Sequence, residues 1–299
     1  EQPYDVYATA ADFGLSSNGS AEAKSYFASD LCVSEDVAIG TDSTDSQVAE
    51  GAGTFNLETN TVVYAKNLYE RLYPASTTKI LTAYIALKYC DDLDAMVTVS
   101  ENAVNQASDS SVCNLKAGDV IRLRDLLYGL MLRSGNDAAV AIAEYISGDV
   151  DSFAALMNQE AAAMGATRSH FVNPNGLPDE THYTCVYDMY LIFSNAVKND
   201  TFVSIIGTTS YDVTYTDASG EAVTHTWENT NQYLTGNATT PDGFQIVGGK
   251  TGTTGEAGYC LVLYSYNPSG QPIISIVFKA DGKSNLYLLM NEMLQGFAI

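Results

Sequence analysis

Basic side chains are scarce in this sequence. Its 299 residues include 14 Lys and Arg against 36 Asp and Glu, which gives a formal net charge of −22. A chain this acidic repels nucleic acid and anionic lipid before contact. We therefore expect no nucleic-acid partner. An anionic substrate group must be met by a few local cations, so each lysine inside a motif is informative.

Several patterns that mark metal, redox or membrane proteins are also missing. The three histidines form no His-Glu-x-x-His motif, there is no Gly-x-Ser-x-Gly, and no apolar run approaches the length of a membrane span. No Cys-x-x-Cys pair occurs among the five cysteines, which are Cys32, Cys90, Cys113, Cys185 and Cys260. We predict no metal and no cofactor, and cysteines that serve as small buried apolar residues. Their odd number leaves at least one thiol unpaired in a monomer.

The chain divides into an extension and one large unit. Residues 1–45 are rich in Ala, Ser, Asp and Gly and are predicted to be an N-terminal extension or linker. Residues 46–299 are predicted to form a single domain, with a mainly helical subdomain at about 90–205. No basic segment followed by an apolar stretch precedes Glu1, so the sequence alone leaves open a cytoplasmic protein and a mature secreted one.

Periodicity predicts strands at both ends of this unit and helices between them. A hairpin is expected over 54–65, helices over 76–89, 123–132, 137–146 and 151–164, strands over 211–216, 224–228, 244–254, 259–266 and 273–279, and a last helix over 285–296. This order predicts an α/β fold of the α+β type, with one central antiparallel sheet of about five strands flanked by helices. The last helix holds Glu292 and no Lys or Arg, which favours packing on the sheet over membrane binding.

Ser76-Thr-Thr-Lys79 is the first of three short motifs, in chain order, that together indicate chemistry. It lies at the start of an almost wholly apolar helix, where the three-residue spacing places both side chains on one face. A serine hydroxyl is a weak nucleophile until a base removes its proton, and a lysine can be that base when its amine is partly neutral. Burial and a nearby cation both lower a lysine pKa. We therefore predict Ser76 as nucleophile and Lys79 as its base.

Ser134-Gly-Asn136 separates two predicted helices. At such a junction Ser134 can face a cleft and pass a proton between Lys79 and a leaving amine, while the Asn136 amide can bind a substrate amide. The same two residues are also good helix caps, and taken alone the motif is better explained by capping of the helix that begins at Asp137. Its position between the other two motifs favours catalysis.

Lys250-Thr-Gly252 lies in a strand interrupted by glycines, where another backbone can approach closely. Lys250 and Thr251 are predicted to bind a carboxylate, with Gly252 and Thr253 also contacting substrate. The backbone amides of Thr253 and Ser76 are expected to form an oxyanion hole. Taken alone, this tripeptide also fits a β-bulge with an exposed lysine.

Longer strings around these motifs resemble the serine penicillin-recognising enzymes, specifically the low-molecular-mass D-alanyl-D-alanine carboxypeptidases. The segments concerned are 73–79 (YPASTTK), 126–137 (LLYGLMLRSGND), 169–177 (SHFVNPNGL, with His170 as a structural residue) and 248–254 (GGKTGTT). The resemblance covers about 48–299, and we expect no second β-rich C-terminal domain.

That resemblance implies a transpeptidase-like fold, action outside the cytoplasm, and acylation of Ser76 by peptidoglycan stem peptides ending in D-Ala-D-Ala. It also implies covalent inhibition by β-lactams, with Lys250 and Thr251 holding the terminal carboxylate. No stable protein partner is expected.

Two alternatives stay open on the sequence. A β-lactamase uses the same constellation with a deacylating glutamate, for which Glu180 is the nearest candidate, although its surroundings lack the usual Glu-x-x-Leu-Asn pattern. A penicillin or peptidoglycan sensor would acylate without turnover.

Overall fold

A computed structural model describes residues 30–299. Most of the predicted extension, residues 1–29, therefore lies outside the described residues. Residues 30–45 pack against the main unit: the backbone N–H of Cys32 donates to the Tyr190 hydroxyl at 2.9 Å, and Ile39 pairs with Ala65. The domain boundary at residue 46 stays a prediction.

The centre of the molecule is a five-stranded antiparallel sheet in the order β2-β1-β9-β8-β7. Its strands are β1 (Ala49–Asn56), β2 (Thr61–Lys66), β7 (Gln245–Thr254), β8 (Gly258–Tyr266) and β9 (Pro272–Ala280). Gly53 on β1 lies opposite Ile276 on β9, so the two ends of the chain meet inside the sheet. The predicted fold class is confirmed in this respect.

The remaining strands form a second sheet, which corrects the expectation of a single one. It runs β3-β4-β5-β6, with β3 (Met96–Thr98), β4 (Val120–Arg122), β5 (Ser210–Thr216) and β6 (Ala222–Glu228). Burial alternates along β5, where Val213 and Tyr215 are buried between exposed neighbours. A strand with one apolar face cannot sit in a layer covered on both sides. The three-residue strands β3 and β4 are too short to leave a periodic pattern.

Eight α-helices occur between residues 30 and 299. They are α1 (Lys79–Tyr89), α2 (Glu101–Val104), α3 (Leu123–Tyr128), α4 (Asn136–Ser147), α5 (Val150–Ala163), α6 (Val186–Ala196), α7 (Asp200–Ile206) and α8 (Lys283–Phe297). A 3₁₀ turn over Ala75–Thr78 precedes α1, and a π-helical turn over Gly129–Arg133 follows α3. The five predicted helices are present, while α2, α6 and α7 were not predicted individually.

The central sheet is buried on both faces. Along β9, Ile274 and Ile276 belong to the core beneath the helices that include α1, whereas Ile273 and Val277 pack with α8 on the opposite face. Buried Met293 belongs to that second layer, so the last helix packs on the sheet as predicted. Among the described helices, none combines the length and apolarity needed to span a bilayer.

Candidate active site

Ser76 and Lys79 stand at the entry to helix α1. Ser76 lies in the 3₁₀ turn, and Lys79 is the first residue of the α-helix, one turn later. The Lys79 Nζ donates to Ser76 Oγ at 2.9 Å. The preceding Ala75 has φ +48°, a left-handed conformation that costs a non-glycine residue energy and that proteins keep at functional sites. The pair has the contact distance that proton transfer needs.

The Lys79 amine is held by three acceptors. Besides Ser76, its Nζ donates to Asn136 Oδ1 at 2.7 Å and to the backbone oxygen of Asn175 at 2.7 Å. Lys79 is 0% exposed, and burial, followed by the charge of Lys250, holds its pKa well below the usual lysine value. An amine that loses its proton readily, one hydrogen bond from a serine, can act as a general base.

Ser134 and Asn136 do not cap α4. The residue at the helix N-cap is Gly135, and no side chain accepts a capping hydrogen bond there. Ser134 follows the π-helical turn with φ +61°, which ends that helical segment sharply and places Ser134 at the wall of a cleft. Asn136 turns its Oδ1 to Lys79. The capping explanation of this motif is therefore wrong.

Strand β7 forms the opposite wall. Lys250 is 1% exposed, so the alternative of an exposed lysine is wrong, and its Nζ donates to the Thr251 backbone oxygen at 2.9 Å. Burial lowers the pKa of Lys250 to about 7. A Cβ at Gly252 would lie 3.0 Å from the Pro74 carbonyl oxygen and from the Ser76 nitrogen. Glycine thus lets β7 lie directly against the turn that carries Ser76.

The cleft has two halves that meet at Ser76. The cationic half, about 220 Å³, is lined by Ser134, Thr251 and Gly252 and by one charged residue, Lys283. The anionic half, about 410 Å³, lies on the other side of Ser76. It is lined by Asn136, Asn175, Thr253, Thr254, Asp109 and Glu256, the last two being its only charged residues.

All eight residues singled out in the sequence converge on this cleft. Ser76, Ser134, Asn136, Thr251, Gly252 and Thr253 line it, and Lys79 and Lys250 are buried behind its walls. Glu180 is exposed and lines neither half. Within residues 30–299, no group of three His, Cys, Asp or Glu side chains is placed to hold a metal ion.

Several residues that support the cleft walls were not predicted from the sequence. The Asp137 carboxylate accepts from the backbone N–H groups of Cys113 at 2.9 Å and Leu115 at 3.1 Å, and the Asn136 N–H donates to the Ser111 oxygen at 2.8 Å. These bonds tie the loop that carries Ser111 to the cleft wall. Asp137 follows the second motif directly, but no local pattern in the sequence indicates that it will bind the N–H groups of Cys113 and Leu115.

A buried histidine was also missed. His182, not His170, is buried beside the nucleophile turn, and its Nε2 lies 2.9 Å from the Thr78 hydroxyl. Its Nδ1 accepts from the Val172 N–H at 3.1 Å, so Nε2 carries the proton and donates to Thr78. Burial lowers the pKa of His182 to about 4, which keeps the ring neutral at pH 7. His182 thus braces the turn through Thr78 and lines neither half of the cleft.

Known proteins match both this sequence and this architecture. A family model described as D-alanyl-D-alanine carboxypeptidase matches residues 40–282. The chain is 34% identical over 251 residues to the D-alanyl-D-alanine carboxypeptidase DacF of Bacillus subtilis, covering 82% of this chain and 61% of that protein. It is also 34% identical over 265 residues to a D-alanyl-D-alanine carboxypeptidase of Streptomyces sp. strain K15, covering 84% of this chain and 88% of the relative.

Two solved structures extend the comparison. The crystal structure of the Streptomyces K15 DD-transpeptidase superposes with a TM-score of 0.77 at 33% identity, over 84% of this chain and 98% of that one. The D-alanyl-D-alanine carboxypeptidase DacD of Francisella tularensis gives a TM-score of 0.73 at 28% identity, over 89% and 72%. The chain thus spans most of the Streptomyces protein and about three-fifths of the Bacillus relative.

Proposed function

Because the chain belongs to the D-alanyl-D-alanine carboxypeptidase family, we propose that it is a serine peptidase that removes the terminal D-alanine from peptidoglycan stem pentapeptides. One observation carries the proposal: a fully buried lysine amine of lowered pKa lies 2.9 Å from the hydroxyl of a serine that faces both halves of a cleft. Few arrangements other than nucleophile activation justify burying a lysine so close to a serine.

The positions of the side chains support the following acylation. Ser76 Oγ attacks the carbonyl of the penultimate D-alanine while Lys79 accepts the hydroxyl proton. The oxygen of the tetrahedral intermediate takes the negative charge, and the backbone N–H groups of Ser76 and Thr253 stabilise it. The C–N bond then breaks. The leaving amine receives a proton from Lys79 through Ser134, and free D-alanine departs.

The walls of the cleft are proposed to orient the substrate. Lys250 and Thr251 attract the terminal carboxylate into the cationic half, and Gly252 leaves room for the peptide beside β7. The Asn136 amide binds the peptide bond on the acyl side. A water molecule, deprotonated by Lys79, then attacks the acyl-enzyme carbonyl. The bond to Ser76 Oγ breaks, the shortened peptide leaves, and the serine recovers its proton.

β-Lactams are proposed to acylate the same serine. Their ring amide takes the place of the scissile peptide bond, and their carboxylate takes the place of the terminal one. The leaving nitrogen stays attached to the opened ring, so the acyl-enzyme persists. Because its substrate is peptidoglycan, we place the site of action outside the cytoplasm.

The proposal is tested with Ser76→Ala and Lys79→Ala. Ser76→Ala is expected to abolish both D-alanine release from a pentapeptide and labelling by a fluorescent penicillin, because the acylated atom is gone. Lys79→Ala is expected to remain folded and to label at least about a hundredfold more slowly, since the general base is lost. Circular dichroism checks the fold of each variant.

The outcomes separate the alternatives. Labelling that persists in Ser76→Ala would disprove the nucleophile. A native protein that labels once but releases no D-alanine would be a sensor, and steady turnover of nitrocefin in place of a single burst would identify a β-lactamase.

A further inference from the structure

The two halves of the cleft carry opposite charge. The cationic half has Lys283 on its wall and buried Lys250 behind it. The anionic half has Asp109 and Glu256 and no Lys or Arg in its lining. The charge of the residues along this groove thus changes from positive to negative on passing Ser76. This arrangement fits a ligand with an anionic end and a cationic group on the other side of the scissile bond.

The orientation of the substrate follows from the proposed function, on which this inference rests. The terminal carboxylate binds in the cationic half, at Lys250 and Thr251. With the scissile carbonyl at Ser76, the rest of the donor peptide must continue away from that half. It therefore passes Asn136 and Thr253 into the anionic half, which both residues line.

Asp109 and Glu256 are free to meet a ligand there. Both side chains are exposed, and neither makes a hydrogen bond or an ion pair with any residue in the described range 30–299. Asp109 is on the loop that Asp137 anchors through the N–H groups of Cys113 and Leu115, and Glu256 is in the turn between β7 and β8. Two separate elements therefore bring unpaired carboxylates to one half of the substrate cleft.

We propose that Asp109 and Glu256 determine substrate specificity, by favouring donor peptides with a free protonated amine on the side chain of the residue before the D-alanyl pair. The ammonium group pairs with the two carboxylates while the backbone lies across Asn136. A peptide whose amine is acylated, as in a cross-linked strand, lacks this attraction. The same walls repel β-lactams that have an anionic side chain.

The test compares two peptides ending in D-Ala-D-Ala that differ only in a lysine ε-amine, free in one and acetylated in the other. At low salt we expect kcat/KM to be about two- to fivefold higher for the free amine, a size typical of exposed ion pairs. In the Asp109→Asn/Glu256→Gln variant this ratio should fall towards one. In a matched control, Asp91→Asn/Glu35→Gln, the same charge is lost outside the cleft and the ratio should remain.

Three results would overturn the proposal: equal kcat/KM for both peptides in the native protein, a ratio unaffected by the double substitution, or an equal loss of the ratio in the control. Failure of both peptides to release D-alanine would refute the proposed function instead. In that event, acylation rates of a penicillin with a free side-chain amine and of its counterpart without one decide the charge preference, because acylation needs no turnover.

Discussion

At the scale of single residues, the proposed chemistry depends on two buried lysines in a chain with only 14 Lys and Arg. Burying an amine in a low-dielectric site disfavours its charged form, so both Lys79 and Lys250 have lowered pKa values. The consequences differ because their contacts differ. Lys79 donates a hydrogen bond to Ser76 and, in the proposed mechanism, acts as a base when neutral, whereas Lys250 is proposed to attract a carboxylate in its charged form.

These opposite requirements predict the pH dependence of kcat/KM, which reports the free enzyme. The rate rises with pH as Lys79 loses its proton, and falls above about pH 7 as Lys250, whose pKa is about 7, loses its charge. The falling limb should therefore occur with a peptide acid and be absent with the same peptide as a C-terminal amide. Initial-rate measurements from about pH 5 to about pH 10 check this. A falling limb of equal size for both substrates would remove Lys250 from carboxylate binding.

At the scale of elements, the proposed mechanism needs β7 and the 3₁₀ turn before α1 to lie in contact. Gly252 makes this contact possible, because a Cβ there would lie 3.0 Å from two backbone atoms of the turn, Pro74 O and Ser76 N. Neither backbone atom can rotate away as a flexible side chain can. The strand would have to shift, and with it the amides proposed to stabilise the oxyanion.

Gly252→Ala is accordingly expected to slow acylation by a β-lactam at least about tenfold, since small displacements in an active site are costly. Its unfolding temperature should stay within a few degrees of the native value, because one tight contact at a sheet edge is affected. Stopped-flow acylation and thermal unfolding give the two readouts. Gly296→Ala, whose added Cβ meets nothing within 4 Å, is the control and should acylate normally. A normal acylation rate in Gly252→Ala would show that the close contact is dispensable.

At the scale of the whole molecule, the central sheet separates two cores. One core lies under the helices that carry Lys79 and Asn136, and the other lies between the sheet and α8. The cleft borders both, because Leu286 and Tyr287 at the start of α8 line its cationic half. The far end of α8, beyond Tyr287, lines neither half of the cleft, so stability and catalysis should be separable there.

Met293→Ala tests that separation. Met293 is 0% exposed in the second core, and its truncation leaves a cavity that should cost about 2–5 kcal/mol of the free energy of unfolding. Urea denaturation measures this loss. The acylation rate of the folded variant should match the native rate at a temperature well below its transition. A large fall in that rate would mean that the second core also positions the site.

The sequence by itself determined the three motifs, the helix at Lys79 and the strands at both ends of the unit, since these depend on local periodicity and on spacing within a few residues. Only the tertiary structure decided that β5 and β6 leave the central sheet, that Lys250 is buried, and that Asn175 and Asp137 support the site. Each of these depends on contacts between residues far apart in the chain, such as Lys79 with Asn175. A pattern in one segment contains no information on which distant backbone group will contact that segment. The same long-range contacts place the positive and negative residues in the two halves of the cleft.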